Sequence, residues 1–208
     1  MTKIADSRPS GGYPPIEGPP TRTWHDLTRE IRACRRCPLG SQREHAVVYR
    51  GGSRPWLVFV GEAPGSQEDR EGRPFVGRGG RILDRAIEDA GLGKGEYGIL
   101  NLLKCRPPKN RFDPGAARAC RPYLDRQLQL LKPTCLVPLG RYALRALDPT
   151  APPIMQAAGT PRTPASGPPV FPLIHPAASL RSRAMAKRWR SDALRLRAWV
   201  AGQRPQST

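Results

Sequence analysis

Four of the five cysteines could share one inorganic centre. Cys34 and Cys37 form a Cys-x2-Cys turn, a spacing that lets two thiolates reach one metal, and Cys105 and Cys120 follow later in the chain. Four thiolates suit zinc or an iron–sulfur cluster, and spacing alone does not choose between them. A redox pair at Cys34 and Cys37 is the alternative, but no thioredoxin-like βαβ pattern surrounds it. A second group of residues could act on an organic substrate: the carboxylates Glu62 and Glu68, the aromatic Phe75, the amide Asn101 and the imidazole His175. Stacked on Phe75 and read along its edge by Asn101, a planar heterocycle would fit such a set. The plainer alternative is a glycine-rich loop with solvated carboxylates and a histidine that serves only as a structural hydrogen bonder.

These residues need elements to hold them. Trp56–Val60 is a continuous apolar run, the pattern of a strand buried on both faces. It stops at Gly61-Glu62-Ala63-Pro64-Gly65, where glycine and proline forbid strand and helix alike. Helical spacing returns over Arg81–Ala90 through Ile82, Leu83, Ala86 and Ile87. Further strands are predicted at Tyr97–Leu103, Thr134–Leu139 and Val170–Ile174, the last running into His175-Pro176-Ala177-Ala178-Ser179. Helices are predicted from Thr23 to about Ala33, from Asp113-Pro114 through Leu131, over Gly140–Leu147 and from about Arg181 to Val200. If the strands are parallel, Glu62, Asn101 and His175 meet at one sheet edge, where ligands bind in such folds. Cys135, inside a strand, reads as a small core residue.

The 208 residues suffice for one domain with a core and tails, with tails expected at 1–22 and 202–208 and the domain at 23–201. Lys and Arg number 35 against 17 Asp and Glu, a net charge of +18 that suits a polyanion, with nucleic acid first among candidates. No run of 18 apolar residues is present, so no membrane span is expected. The N-terminal stretch lacks a signal-peptide core, and the expectation is a cytoplasmic protein whose cysteines serve metal or chemistry, not disulfides.

Taken together, GEAPG at 61–65, GRPFVG at 72–77, NLLKCRPP at 101–108, HPAAS at 175–179 and the cysteine pattern resemble the iron–sulfur uracil-DNA glycosylases, family 4 of that superfamily. The resemblance spans roughly residues 24–200. It implies a three-layer αβα sandwich around a four-stranded parallel sheet, and a 4Fe-4S cluster on Cys34, Cys37, Cys105 and Cys120. It implies a monomer that excises uracil from single- or double-stranded DNA by hydrolysing its N-glycosidic bond. Gly61, Phe75 and Asn101 would bind the base, and His175 would donate to its O2. Since an aspartate that follows the Glu62 position in a related branch is Ala63 here, Glu62 and Glu68 are the carboxylates left to activate water; Glu68 is preferred as base, with Glu62 positioning water or backbone. Lys104, Arg106, Ser179 and Arg181 would contact the DNA. The competing expectation is a non-catalytic DNA-binding protein that keeps the fold and cluster; phosphate binding alone would need neither Asn101, Glu68 nor His175.

Overall fold

A computed structural model describes residues 23–205; the predicted tail 1–22 lies outside the described residues. In chain order the helices are α1 (Trp24–Ala33), α2 (Leu39–Gln42), α3 (Ser66–Glu71), α4 (Arg78–Asp89), α5 (Pro114–Leu131), α6 (Arg141–Leu147), α7 (Ile154–Ala157) and α8 (Arg183–Gln203). The strands are β1 (Arg50–Gly51), β2 (Leu57–Gly61), β3 (Tyr97–Asn101) and β4 (Cys135–Pro138), in the spatial order β1-β3-β2-β4. Helix α8 runs three residues past the expected Val200, into the predicted C-terminal tail.

The sheet is four-stranded and mostly parallel. β2 lies between β3 and β4 and is parallel to both, and every one of its residues is buried. Its side chains alternate between two cores. Leu57 and Phe59, with Ile99 and Val137, pack under Leu83 and Ile87 of α4 and Trp189 and Leu196 of α8. Val58 and Val60, with Leu100 and Leu136, pack against Leu124, Leu128 and Leu131 of α5 and Ala143 of α6. Helices on both faces of a parallel sheet make the αβα layering, and both faces of β2 must therefore be apolar.

One detail of the sheet differs from expectation. The fourth strand is the two-residue β1, antiparallel to β3, rather than Val170–Ile174. Residues 170–174 do run parallel to β4, but only through isolated bridges at Leu136–Val170 and Leu139–Leu173. Prolines 138, 169 and 172 carry no N–H, so a continuous ladder cannot form there.

The topology fixes where a ligand can sit. The chain leaves β2 toward α4 on one face and leaves β3 toward α5 on the other. Loops that diverge in this way open a crevice between adjacent strand ends. The register pairs Gly61 with Asn101, so that crevice lies between those two residues.

The first turn of α4 forms one wall of it. Phe75 adopts a left-handed backbone with φ of 55°, and a Cβ at Gly80 would fall 1.9 Å from the Phe75 carbonyl oxygen. That contact is backbone to side chain, so no rotamer change relieves it. Gly80→Ala is expected to destabilise the protein by about 1–3 kcal/mol, read as a lower Tm in thermal unfolding. An unchanged Tm would mean that α4 can move off the Phe75 turn.

Candidate active site and thiol cavity

At the end of β2, a side chain on Gly61 would place Cβ 2.3 Å from Asn101 Oδ1 and 2.6 Å from the Phe75 ring. Only hydrogen at this position allows the amide and the ring to approach one another. Asn101 is 2% exposed, and its Oδ1 has no hydrogen-bond partner. An acceptor buried without a partner costs stability unless a ligand completes it. The rings of Phe75 and His175 lie nearly parallel, with centroids 5.8 Å apart and planes inclined by 28°.

His175 caps the 3₁₀ turn Pro176–Leu180, its Nδ1 accepting the Ala177 N–H at 3.2 Å. That bond makes Nδ1 the acceptor, so the proton of the neutral ring resides on Nε2. Burial pushes the imidazole pKa down to about 4, and the positive charge of Arg181 adds to the effect against a smaller pull from Glu68. The ring is thus a neutral N–H donor throughout the physiological range.

The two carboxylates differ in what holds them. Glu62 Oε1 accepts the Tyr142 N–H at 3.0 Å, at the start of α6. Burial raises its carboxyl above the ordinary value, opposed by backbone N–H groups and by the charges of Arg141 and Arg181. The turn after β4 passes between Glu62 and His175: a Cβ at Gly140, where φ is +97°, would lie 2.5 Å from Glu62 Oε1 and 3.3 Å from His175 Cβ. Glu68, by contrast, uses both oxygens on backbone. Oε2 accepts Gly65 N–H at 3.1 Å and Oε1 accepts Gly77 N–H at 2.8 Å, which staples together the N-termini of α3 and α4. Both Glu68 oxygens are thus engaged by helix-cap N–H groups, whereas Glu62 accepts a backbone N–H on Oε1.

Gly61, Glu62, Phe75, Asn101 and His175 thus come together at the strand ends. Of the residues expected on DNA, Arg181 is exposed and Arg106 half-buried, with its Nε donating to Asn110 Oδ1 at 3.0 Å. Ser179 donates to the Pro176 carbonyl. Lys104 does not belong with them. It is 1% exposed and its Nζ donates to the Asn101 carbonyl at 2.6 Å, so it is out of reach of a phosphate. The sequence reading also missed Leu180, 45% exposed between Ser179 and Arg181 on the His175 turn. An apolar residue between polar neighbours in a predicted loop was the available signal. Tyr142 and Gly140 were missed as well, because they act through backbone.

The other constellation is a cavity. Cys34, Cys37, Cys105 and Cys120 line it together with Arg43, Lys104 and Tyr123. Cys34 ends α1, Cys105 follows β3 and Cys120 lies in α5, so the cavity joins three separate elements. Arg43 Nη1 donates to Cys105 Sγ at 2.9 Å, and the Arg36 backbone N–H donates to Cys34 Sγ at 3.5 Å. Burial pushes the Cys120 thiol up to about 11 and raises that of Cys105 also. Among the described residues, no three His, Cys, Asp or Glu are placed to hold a single metal ion. Cys135 is buried in β4, apart from this cavity.

The Uracil DNA glycosylase superfamily profile matches residues 49–199. The chain is 44% identical over 120 residues to a Type-4 uracil-DNA glycosylase of Saccharolobus solfataricus, covering 56% of this chain and 55% of that relative. It is 37% identical over 159 residues to a Type-4 uracil-DNA glycosylase of Thermotoga maritima, covering 76% of this chain and 83% of the relative. A Type-5 uracil-DNA glycosylase of Thermus thermophilus is 34% identical over 153 residues, covering 58% of this chain and 70% of the relative. Against the Saccharolobus relative the match spans little more than half of that protein's length.

Proposed function

Because the chain belongs to the uracil-DNA glycosylase superfamily, and within it to the type-4 proteins, we propose that it hydrolyses the bond between uracil and deoxyribose in DNA. The products are free uracil and an abasic site, the starting point of base excision repair. The observation that carries this reading is the orphaned, buried Oδ1 of Asn101 at the Gly61 crevice, beside the Phe75–His175 pair. That oxygen accepts the N3–H of uracil while the amide N–H donates to O4. Cytosine offers the opposite pattern at both atoms and leaves the amide unpaired, which is the stronger form of rejection.

The target base leaves the stack to reach this crevice, since the glycosidic bond is inaccessible within it. Phe75 stacks on the extruded ring. As the bond between N1 and C1′ breaks, its electron pair moves onto uracil and charge gathers on O2. His175 Nε2–H meets that charge as a neutral donor that is already in place, so it stabilises the transition state more than the ground state. Tyr142 N–H holds Glu62 Oε1, leaving Oε2 to orient the attacking water and take its proton as the C1′–O bond forms. The negative charge of Glu62 also favours the oxocarbenium-like sugar.

The net charge of +18 suits the DNA backbone. Arg106, Ser179 and Arg181 are assigned to phosphates, and Leu180 to the space left by the extruded base, as an apolar wedge. Residues 23–201 are assigned as the catalytic unit, acting as a monomer on single- or double-stranded DNA in the cytoplasm; no described helix is long and apolar enough to cross a membrane.

Cys34, Cys37, Cys105 and Cys120 are assigned to a 4Fe-4S cluster. Their placement around one cavity supports this. When bound, the cluster supplies a rigid crosslink between α1, the segment after β3 and α5.

The test is incubation with a uracil-containing oligonucleotide, followed by alkaline cleavage of abasic sites. Cleavage at uracil and not at cytosine is expected. Glu62→Gln should lower the single-turnover rate by about 10²–10⁴ and flatten the acidic limb of the pH–rate profile. That limb should lie above the ordinary carboxylate range, because burial favours the protonated form of Glu62. Glu68→Gln should lower thermal stability and keep the limb. The reverse pattern would return the base assignment to Glu68.

A further inference from the structure

Lys104 was expected at the surface, yet it sits between the two constellations. Its side chain is 1% exposed and lines the same cavity as the four cysteines. Its Nζ reaches back three residues to donate to the main-chain carbonyl of Asn101 at 2.6 Å. Among the described residues no carboxylate lies within ion-pair distance of it, and the nearby Asp125 is already paired with Arg121 at 2.6 Å. A buried ammonium needs a counter-charge. The groups around it that can supply one are thiolates, and four thiolates on an iron–sulfur cubane carry a net negative charge.

We propose that Lys104 is a positioning residue that couples the thiol cavity to base recognition. Charge in the cavity holds the ammonium, and the ammonium holds the Asn101 carbonyl, which fixes the direction of the Asn101 side chain at the Gly61 crevice. Asn101, Lys104 and Cys105 lie within five residues of one another, so the link runs through a single turn at the end of β3. This rests on the proposed uracil-DNA reading and on the cluster assignment. It gives the cluster a second consequence beyond crosslinking: loss of the cavity's negative charge loosens the amide that selects the base.

The experiment uses the full chain carrying its cluster. Lys104→Met keeps the volume and removes the charge. Iron content should stay at the wild-type level, and the midpoint potential of the cluster should become more negative, since a nearby cation favours the reduced, more negative form. KM for a uracil-containing oligonucleotide should rise about tenfold, a coupling expected of groups in direct contact. In an Asn101→Ala background the same substitution should add no further loss, because Lys104 acts through that residue. Lys104→Arg keeps the charge and should restore both the potential and the KM; if Lys104→Met does not fold, Lys104→Gln, which is also uncharged, takes its place and should show the same shift in potential and the same rise in KM only when Asn101 is present. An unshifted potential, or a loss that adds in full to Asn101→Ala, overturns the proposal while wild-type cleavage stands. A wild type that leaves uracil-DNA intact overturns the function, and this coupling with it.

Discussion

His175→Ala should lower the single-turnover rate of uracil release by about 10²–10³ while leaving the affinity for uracil-DNA nearly unchanged. The reason is that the Nε2–H donor matters mostly when O2 has gained charge. In the ground state O2 is a weak acceptor and the loss of one neutral hydrogen bond is small. The pH dependence follows from the same ring. Its folded pKa of about 4 lies below the ordinary histidine value of about 6.5. The unfolded chain therefore binds a proton that the folded chain refuses between those two values. Stability from the neutral ring is fully present above pH 6.5 and is lost as pH falls toward 4. Histidine at 175 should thus make the Tm fall across that window, and His175→Ala should remove this part of the slope. Because burial raises the Glu62 carboxyl above the usual carboxylate range, the acidic limb of the rate is expected to follow Glu62, and His175→Ala should leave its position unchanged. A limb that moves with His175 would show that an imidazolium takes part.

Cys105→Ser should yield a colourless protein. Wild type, purified without oxygen, is expected to be brown, with iron and sulfide at about four each per chain, the content of one 4Fe-4S cluster. Serine at 105 would remove one of the four proposed ligands, which lies between the end of β3 and the elements α1 and α5, and would leave Arg43 Nη1 without its sulfur acceptor. Since binding of the group is part of folding, loss of several kcal/mol is expected, a fall of roughly 10 °C or more at about 2–4 °C per kcal/mol for a chain of this size. Cys135→Ser, in β4 and outside the cavity, should keep the colour and the iron. Zinc at one per chain with no iron would overturn the cluster assignment.

Much of this site was legible before any coordinates. The apolar run at Trp56–Val60 could only be a strand buried on both faces, and glycines with a proline could only end it where Glu62 begins. Parallel strands share one edge at their carboxyl ends, which is why Glu62, Asn101 and His175 were expected there together. The four cysteines that line one cavity could be picked out because Cys135 alone falls within a predicted strand. What tertiary structure decided was how each polar group is spent. Glu68 reads as a free carboxylate in a loop, but Gly65 and Gly77 N–H groups engage both of its oxygens. Lys104 reads as part of a basic loop, but its chain turns inward and its ammonium meets the Asn101 carbonyl. Tyr142 and Gly140 enter the site through main-chain atoms that every residue type possesses. Residue type and spacing specify which groups can reach a place. The competition for a buried hydrogen-bond partner is settled by backbone donors and acceptors brought together from distant positions, and one-dimensional order does not encode those meetings locally.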